Sequence, residues 1–176
     1  NYDGIAGVSY QAKRAEYLTY PDDIGTSELS KFRLSQVEYV VVTMFDSNFE
    51  YTGENQEIPS PLRVPLGFSI GLELKELGLM VDNAALSDEA NIRRLLRDND
   101  GSVILIKEMA YLLTYDKPEL TVHTLPLKSK SYYLAFSKKS KLSKNQQLEL
   151  WKAGKKAREN KELMNLIFKK YQGNAN

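Results

Sequence analysis

The sequence predicts an α/β protein, and three observations predict it. Two apolar runs of strand length, Tyr39-Val40-Val41-Val42 and Val103-Ile104-Leu105-Ile106, are rich in β-branched residues. Segments with helical spacing carry recognisable start and stop residues. Strand-like and helix-like segments alternate along the chain, the order that gives parallel strands with helices on the faces.

The elements follow in order. Ile5 to Val8 reads as a short strand ending in small residues, and a turn and a helix start follow it. Residues 37–45 are β-rich and predict a strand. Residues 46–60 are polar and contain Gly53 and Pro59, hence a loop or hairpin. Leu62, Val64 and Leu66 alternate, as a half-buried strand does. A helix through Ile70, Leu74 and Leu77 follows the turn Gly67-Phe68-Ser69 and closes at Gly78. A short strand is expected near residues 79–81. Ser87 fits an N-cap, with Asp88 and Glu89 at the positive end of the helix dipole. Ile92, Leu95 and Leu96 form that helix's apolar face, and Gly101 ends it. Residues 103–106 predict a buried strand and residues 108–113 a short helix. Two more strands are expected at 121–127 and 132–136.

The end of the chain reads as helical. Ser143 and Gln146 have capping-box spacing, with Leu148 and Trp151 toward a core. Asn160 fits a second cap. Met164, Ile167, Phe168 and Tyr171 then repeat at the spacing of a buried face.

The chain of 176 residues is 42% hydrophobic and 27% charged, ordinary for a globule of one domain or two small lobes. No apolar run reaches membrane-spanning length, so no membrane insertion is expected. Cysteine is absent, which removes disulfides, thiol catalysis and Cys-ligated metals within these residues. The single histidine, His123, sits in a strand-like stretch, where a structural role is commoner than catalysis. No metal-ligand spacing, nucleophile elbow or P-loop is present, and no cofactor is expected. Residues 1–127 carry 11 Lys/Arg against 20 Asp/Glu, and residues 128–176 carry 13 against 3. The lysines are spread over helical positions with no nucleic-acid motif, so they read as a solvated surface rather than a nucleic-acid interface.

The residues with chemical promise sit in turns. Ser9 and Arg14 flank the first turn, where a hydroxyl, backbone N–H groups and a guanidinium fork are the parts that hold a carboxylate. Against this stands a plain alternative, Arg14 on a helix surface paired with Glu16 or Asp23. The turn Gly67-Phe68-Ser69-Ile70 opens a helix whose first N–H groups suit an anion; alternatively Ser69 is simply an N-cap. Lys107 and Glu108 end the 103–106 strand, or both face solvent.

The run Asp3-Gly4-Ile5-Ala6-Gly7-Val8-Ser9-Tyr10-Gln11-Ala12-Lys13-Arg14, followed by Tyr17-Leu18-Thr19-Tyr20-Pro21, resembles the signature of the extracellular solute-binding proteins of ABC importers for polar amino acids. Ser131-Tyr132-Tyr133-Leu134-Ala135-Phe136-Ser137-Lys138 resembles that family's return strand, and Ile167-Phe168-Lys169-Lys170-Tyr171 its final helix. The resemblance implies a two-lobe, type 2 periplasmic binding fold with the second lobe complete and the first partial. Residues 1–38 would be a remnant of lobe 1, 39–131 a hinge strand and lobe 2, and 132–176 the return strand and C-terminal helices of lobe 1. An N-terminal strand–helix–strand portion is expected to be missing, as in a processed fragment. The apolar surface left by it would include Ile5, Met164, Ile167 and Phe168, and a dimer would cover it.

The resemblance also implies a non-enzymatic protein, periplasmic or extracellular, that captures a small anionic or zwitterionic solute and hands it to importer membrane subunits. Carried over residue by residue, Ser9, Arg14, Gly67, Phe68, Ser69, Ile70, Lys107 and Glu108 are its ligand-binding positions, with anchors expected from each lobe. Four positions depart from the pattern, the first being Gln11 in place of a Thr. Gly7 replaces a usual Ser, Phe68 a small polar residue, and Lys107 the Asp that accepts from an α-ammonium. Lys107 tilts the expectation toward acidic solutes, with Glu108 as a substitute acceptor if the register slips. The same fold also serves as the input domain of receptors, and a member altered at Gly7, Phe68 and Lys107 could act through protein contacts instead.

Overall fold

The structure, a computed structural model, describes residues 2–24 and 29–172. The chain divides into two units, Val37–Ser129 on the one hand and Asn1–Gln36 with Lys130–Asn176 on the other.

The continuous unit is built on a sheet whose strands are β3 (Ser35–Met44), β4 (Leu62–Arg63), β5 (Val81–Asp82), β6 (Ser102–Ile106) and the first part of β7 (Leu120–Ser137). Their order is β7-β3-β6-β4-β5. Between them lie the helices α2 (Ser69–Glu76), α3 (Asp88–Asp98) and α4 (Lys107–Thr114). Each apolar run is buried on both faces because side chains alternate along a strand. Tyr39, Val41 and Ile104 face one way and pack with Leu62, Val64 and with Ile70 and Leu74 of α2. Val40, Val42, Val103 and Leu105 face the other and pack with Ile92 and Leu95 of α3 and Ala110 of α4.

The sheet is mixed, which corrects the expectation of parallel strands throughout. β4 pairs in parallel with both β5 and β6, as the β4–α2–β5–α3–β6 crossovers require. β3 pairs antiparallel with β6. It reaches β4 through the stretch 45–61, which holds only two short 3-10 turns and no α-helix, so no crossover helix forces it parallel.

Other boundaries move for local reasons. The 62–66 alternation gives only a two-residue strand. Pro65 has no N–H to donate, and Leu66 N donates instead to Ala85 O. The strands expected at 121–127 and 132–136 are one, β7, because the polar residues 128–131 continue the extended backbone. Ser87 caps α3, its Oγ accepting from Ala90 N at 3.2 Å. The C-terminal stop of α3 is Asn99, at φ 51°, two residues before Gly101.

The other unit holds β1 (Gly4–Ser9), α1 (Ala12–Ala15), β2 (Leu18–Thr19), the rest of β7, α5 (Lys144–Glu159) and α6 (Lys161–Gln172). β1 and β2 each pair antiparallel with β7. Val8, Tyr20, Tyr133 and Ala135 form its core. Ser143 and Gln146 form the expected capping box of α5. Trp151 is buried, and its Nε1 donates to Leu134 O at 2.7 Å. Asn160 caps α6, its Oδ1 accepting from Leu163 N at 3.0 Å.

Of the stripe expected to be buried along α6, the two described members are not fully buried, Ile167 being exposed as the expectation of a missing N-terminal portion implies. Met164 is half-buried, while Leu163, Leu166 and Ile167 are exposed, and α6 packs against α5. The side chains of Phe168 and Tyr171 lie outside the described residues. Ile5 is exposed, as expected.

One charged side chain is fixed inside the sheet of the continuous unit. Arg63, 2% exposed, donates to Asp100 O at 2.6 Å, to Asp98 Oδ2 at 3.1 Å and to Asp100 Oδ1 at 2.5 Å. It thereby ties β4 to the segment joining α3 and β6. Removing one partner of a buried ion pair costs about 3–5 kcal/mol. The two carboxylates here are partly solvated and can return to water, so we expect Arg63→Ala to cost about 3 kcal/mol in urea unfolding, the low end of that range. Arg63→Met, which keeps most of the stem's packing, should lose less.

Candidate functional site

The parallel neighbours β4 and β6 run in the same direction, so both deliver their C-terminal ends to one edge of the sheet. The chain leaving β4 turns through Pro65 to Phe68 into α2, which packs on one face. The chain leaving β6 enters α4, which packs on the other. Adjacent parallel strands whose following helices leave to opposite faces make a topological switch point. A crevice outside the strand ends is the general binding place of open α/β sheets. The topology thus brings the Gly67–Ile70 turn and the Lys107–Glu108 pair, 40 residues apart in sequence, to the same edge.

Gly67 has φ 83°, a left-handed conformation that glycine adopts at little cost. This bend aims the start of α2 at the edge. Phe68 is the N-cap residue and has no side-chain capping bond, which corrects the alternative that Ser69 is the cap. Ser69 is the first helical residue and is 7% exposed, while Phe68 is 42% exposed. At this helix start Phe68 N donates to Pro65 O and Gly71 N to Phe68 O, each at 3.2 Å.

Lys107 is the first residue of α4 and Glu108 the second. Glu108 is exposed. Lys107 is not: its Nζ donates to Glu38 Oε2 at 2.9 Å. That hydrogen bond, reinforced by the same carboxylate's charge, raises the lysine's pKa. Glu38 went unnoticed in the sequence. Its partner lies 69 residues away, and only the antiparallel register of β3 on β6 reveals the pairing.

In the other unit, Gly7 has φ 73° and marks a register shift between Ala6 and Val8 in the β1–β7 ladder. The bulge is followed by Val8 and Ser9, both buried. Arg14, half-buried on α1, folds back so that NH1 donates to Ser9 O and to Ser9 Oγ, each at 3.2 Å. Tyr20 Oη donates to the same Ser9 carbonyl at 3.1 Å, and burial raises the Tyr20 pKa. Among the described residues Arg14 has no carboxylate partner, neither Glu16 nor Asp23. Asp23 instead accepts from Ser30 Oγ and Lys31 N. Ser9 and Arg14 are thus in contact, joined by the turn that the sequence suggested.

A surface depression of 660 Å³ in this unit is lined by Lys31, Phe32 and lysines of α5. It contains none of these residues. Among the described residues no cluster of His, Asp and Glu could hold a metal ion, and no helix is long and apolar enough to cross a membrane.

No family model matches the chain, and no curated protein sequence matches it. Solved structures do. A mutant of ArgBP from T. maritima aligns with 97% of this chain and 69% of its own, at 19% identity and a TM-score of 0.69. The GluR0 ligand-binding core from Nostoc punctiforme, in complex with L-glutamate, covers 95% of this chain and 72% of its own, at 15% identity and a TM-score of 0.67. The fold is the type 2 periplasmic binding fold. The arginine-, lysine-, histidine-binding protein ArtJ from Geobacillus stearothermophilus aligns equally well, over 97% of this chain and 70% of its own, at 18% identity and a TM-score of 0.67. Other matching structures are AbpA from Streptococcus pneumoniae, an amino acid ABC transporter substrate-binding protein, at 18% identity and a TM-score of 0.68, and the substrate binding protein of an amino acid ABC transporter. The likeness to the type 2 binding fold is partial: about seven-tenths of each of the three neighbours is matched.

His123, the one histidine, is held within the continuous unit. Its Nδ1 accepts from Tyr51 N at 3.3 Å, so Nε2 carries the proton and donates to Thr43 Oγ1 at 2.9 Å. The Phe49 ring lies 5.0 Å from its own. Burial lowers its pKa below the ordinary 6.5. The neutral form is therefore favoured on folding. Its stabilising contribution is complete above about pH 6.5 and is lost as pH falls through the lowered folded value. We expect urea midpoints to fall from pH 7.5 to pH 5.5, and His123→Gln to flatten that slope. An unchanged slope in the variant would show that another group titrates.

Proposed function

We propose that this chain binds a small polar, carboxylate-bearing solute as the capture component of an ABC importer, at the periplasmic or extracellular face. The observation that carries the reading is the switch point between β4 and β6, where a glycine-bent helix start and a lysine share one edge. Three things support it further: the Arg14–Ser9 contact in the other unit, the fold shared with ArgBP and ArtJ, and the amino acids named in those proteins' descriptions.

In this reading Arg14 is the carboxylate anchor. Its contact with Ser9 holds the guanidinium beside a buried hydroxyl and carbonyl, and its other nitrogen donors can take a carboxylate. Within the continuous unit, taken by itself, the Gly67–Ile70 turn sets the N-terminal end of α2, which favours an anion, at the sheet edge beside the ring of Phe68. Gly7 offers only backbone where a hydroxyl could otherwise reach the solute. No step of bond making or breaking is involved. A second reading, the input domain of a receptor, is favoured by the likeness to the GluR0 ligand-binding core. The two differ in what is attached to the domain and not in the site.

The test is calorimetric titration with L-glutamate, L-glutamine and L-arginine. Losing a charged partner in a desolvated site costs roughly 2–5 kcal/mol. Arg14→Ala should therefore weaken any observed binding more than about tenfold while thermal unfolding stays cooperative. Unchanged affinity would remove Arg14 from the site and, with it, the carboxylate clamp.

A further inference from the structure

The β3–β6 ladder pairs Val42 with Val103, Val41 with Ile104, Val40 with Leu105 and Tyr39 with Ile106. The ladder ends at Tyr39 and Ile106, so Glu38 and Lys107, the first residue of α4, lie just beyond its last pair. The 2.9 Å hydrogen bond from Lys107 Nζ to Glu38 Oε2 joins them. The two side chains are 33% and 38% exposed. They are accessible at the sheet edge, yet not so solvated that their charges are fully screened.

A lone lysine at the end of β6 would attract any extra negative charge on a solute. A lysine already bonded to a carboxylate presents a pair whose charges sum to zero. Glu108 is the next residue of the same helix, but it is exposed and is not the group that bonds Nζ. We propose that Glu38 is a specificity-determining residue: by pairing with Lys107 it cancels the preference for acidic solutes that the lysine would otherwise impose. The inference rests on the solute-binding reading above and assigns a role in it to a residue of β3 that the resemblance does not point to.

L-Glutamate and L-glutamine are the probes, because their side chains match in shape and differ in charge. The readout is the ratio of their dissociation constants, measured calorimetrically on the chain as it stands. For the unaltered protein we expect the two constants to agree within about threefold, under 1 kcal/mol of discrimination. Glu38→Gln keeps the side chain's size and removes its charge. It should shift the ratio about tenfold or more toward glutamate, since specificity is a difference of affinities. Lys107→Met, which leaves Glu38 unpaired, should shift the ratio the other way. The double variant Glu38→Gln with Lys107→Met should return it near its starting value. A variant that merely loosened the fold would weaken both probes together and leave the ratio unmoved. If both amino acids bind and Glu38→Gln leaves the ratio unchanged, the proposal is overturned and the binding reading stands. If neither binds the unaltered protein the proposal falls, and the binding reading falls with it only if L-arginine also fails to bind.

Discussion

The antiparallel register of β3 on β6 is the constraint on which the rest of the continuous unit depends. Tyr39–Val42 of β3 and residues 103–105 of β6 are buried almost completely, Tyr39, Val41 and Ile104 toward α2 and the others toward α3 and α4. A slip of one residue would exchange the two faces along the whole strand. Tyr39 would then meet the α3 face, where valines now fit. The same register fixes Glu38 against Lys107 at the edge of the sheet. Packing in the middle of the ladder therefore decides the electrostatics at its end.

Direction matters as much as register. β4 and β6 are parallel because helices carry the chain back between them, and this brings their C-terminal ends together. Arg63 lies one residue before the chain leaves the ladder, and it bonds the segment that leads into β6. Its charge is buried where it holds the last residue of α3 and the segment that follows it. Two of this unit's charged groupings thus divide the labour. Arg63 with Asp98 and Asp100 fixes the strands. Glu38 with Lys107 remains partly open to solvent, where a solute could meet it.

Much of the fold was legible because its signals are local. The apolar runs at 39–42 and 103–106, the Ser87 cap and the Ser143–Gln146 box depend on residues within a turn or two of each other. So does the contact of Arg14 with Ser9, five residues apart. What escaped depends on distance in sequence. The antiparallel sense of β3 cannot be read from alternation, because alternation says nothing about which neighbour a strand chooses. The continuity of β7 was hidden by polar residues that read as a break. Lys107 looked like a charge facing a solute, since the carboxylate that holds it lies on another strand. The cap of α2 was misassigned because a serine beside a helix start satisfies the cap preference at either of two positions.

The two units also differ in charge, and this bears on how Arg14 and Lys107 should be weighed. By sequence, residues 37–129 hold 8 Lys/Arg and 15 Asp/Glu, and the remainder holds 16 and 8. Arg14 thus belongs to the basic unit and Lys107 to the acidic one. An anion approaching the basic unit is drawn by its general field as well as by the guanidinium, so affinity there has a salt-dependent part that no single side chain owns. In the acidic unit the background repels anions. A lysine standing there without a partner would be a local exception to that field. Paired with Glu38 it is not an exception. In the solute-binding reading proposed above, selectivity in that unit would then follow from shape and donor placement at the left-handed bend of Gly67 and the ring of Phe68 more than from charge.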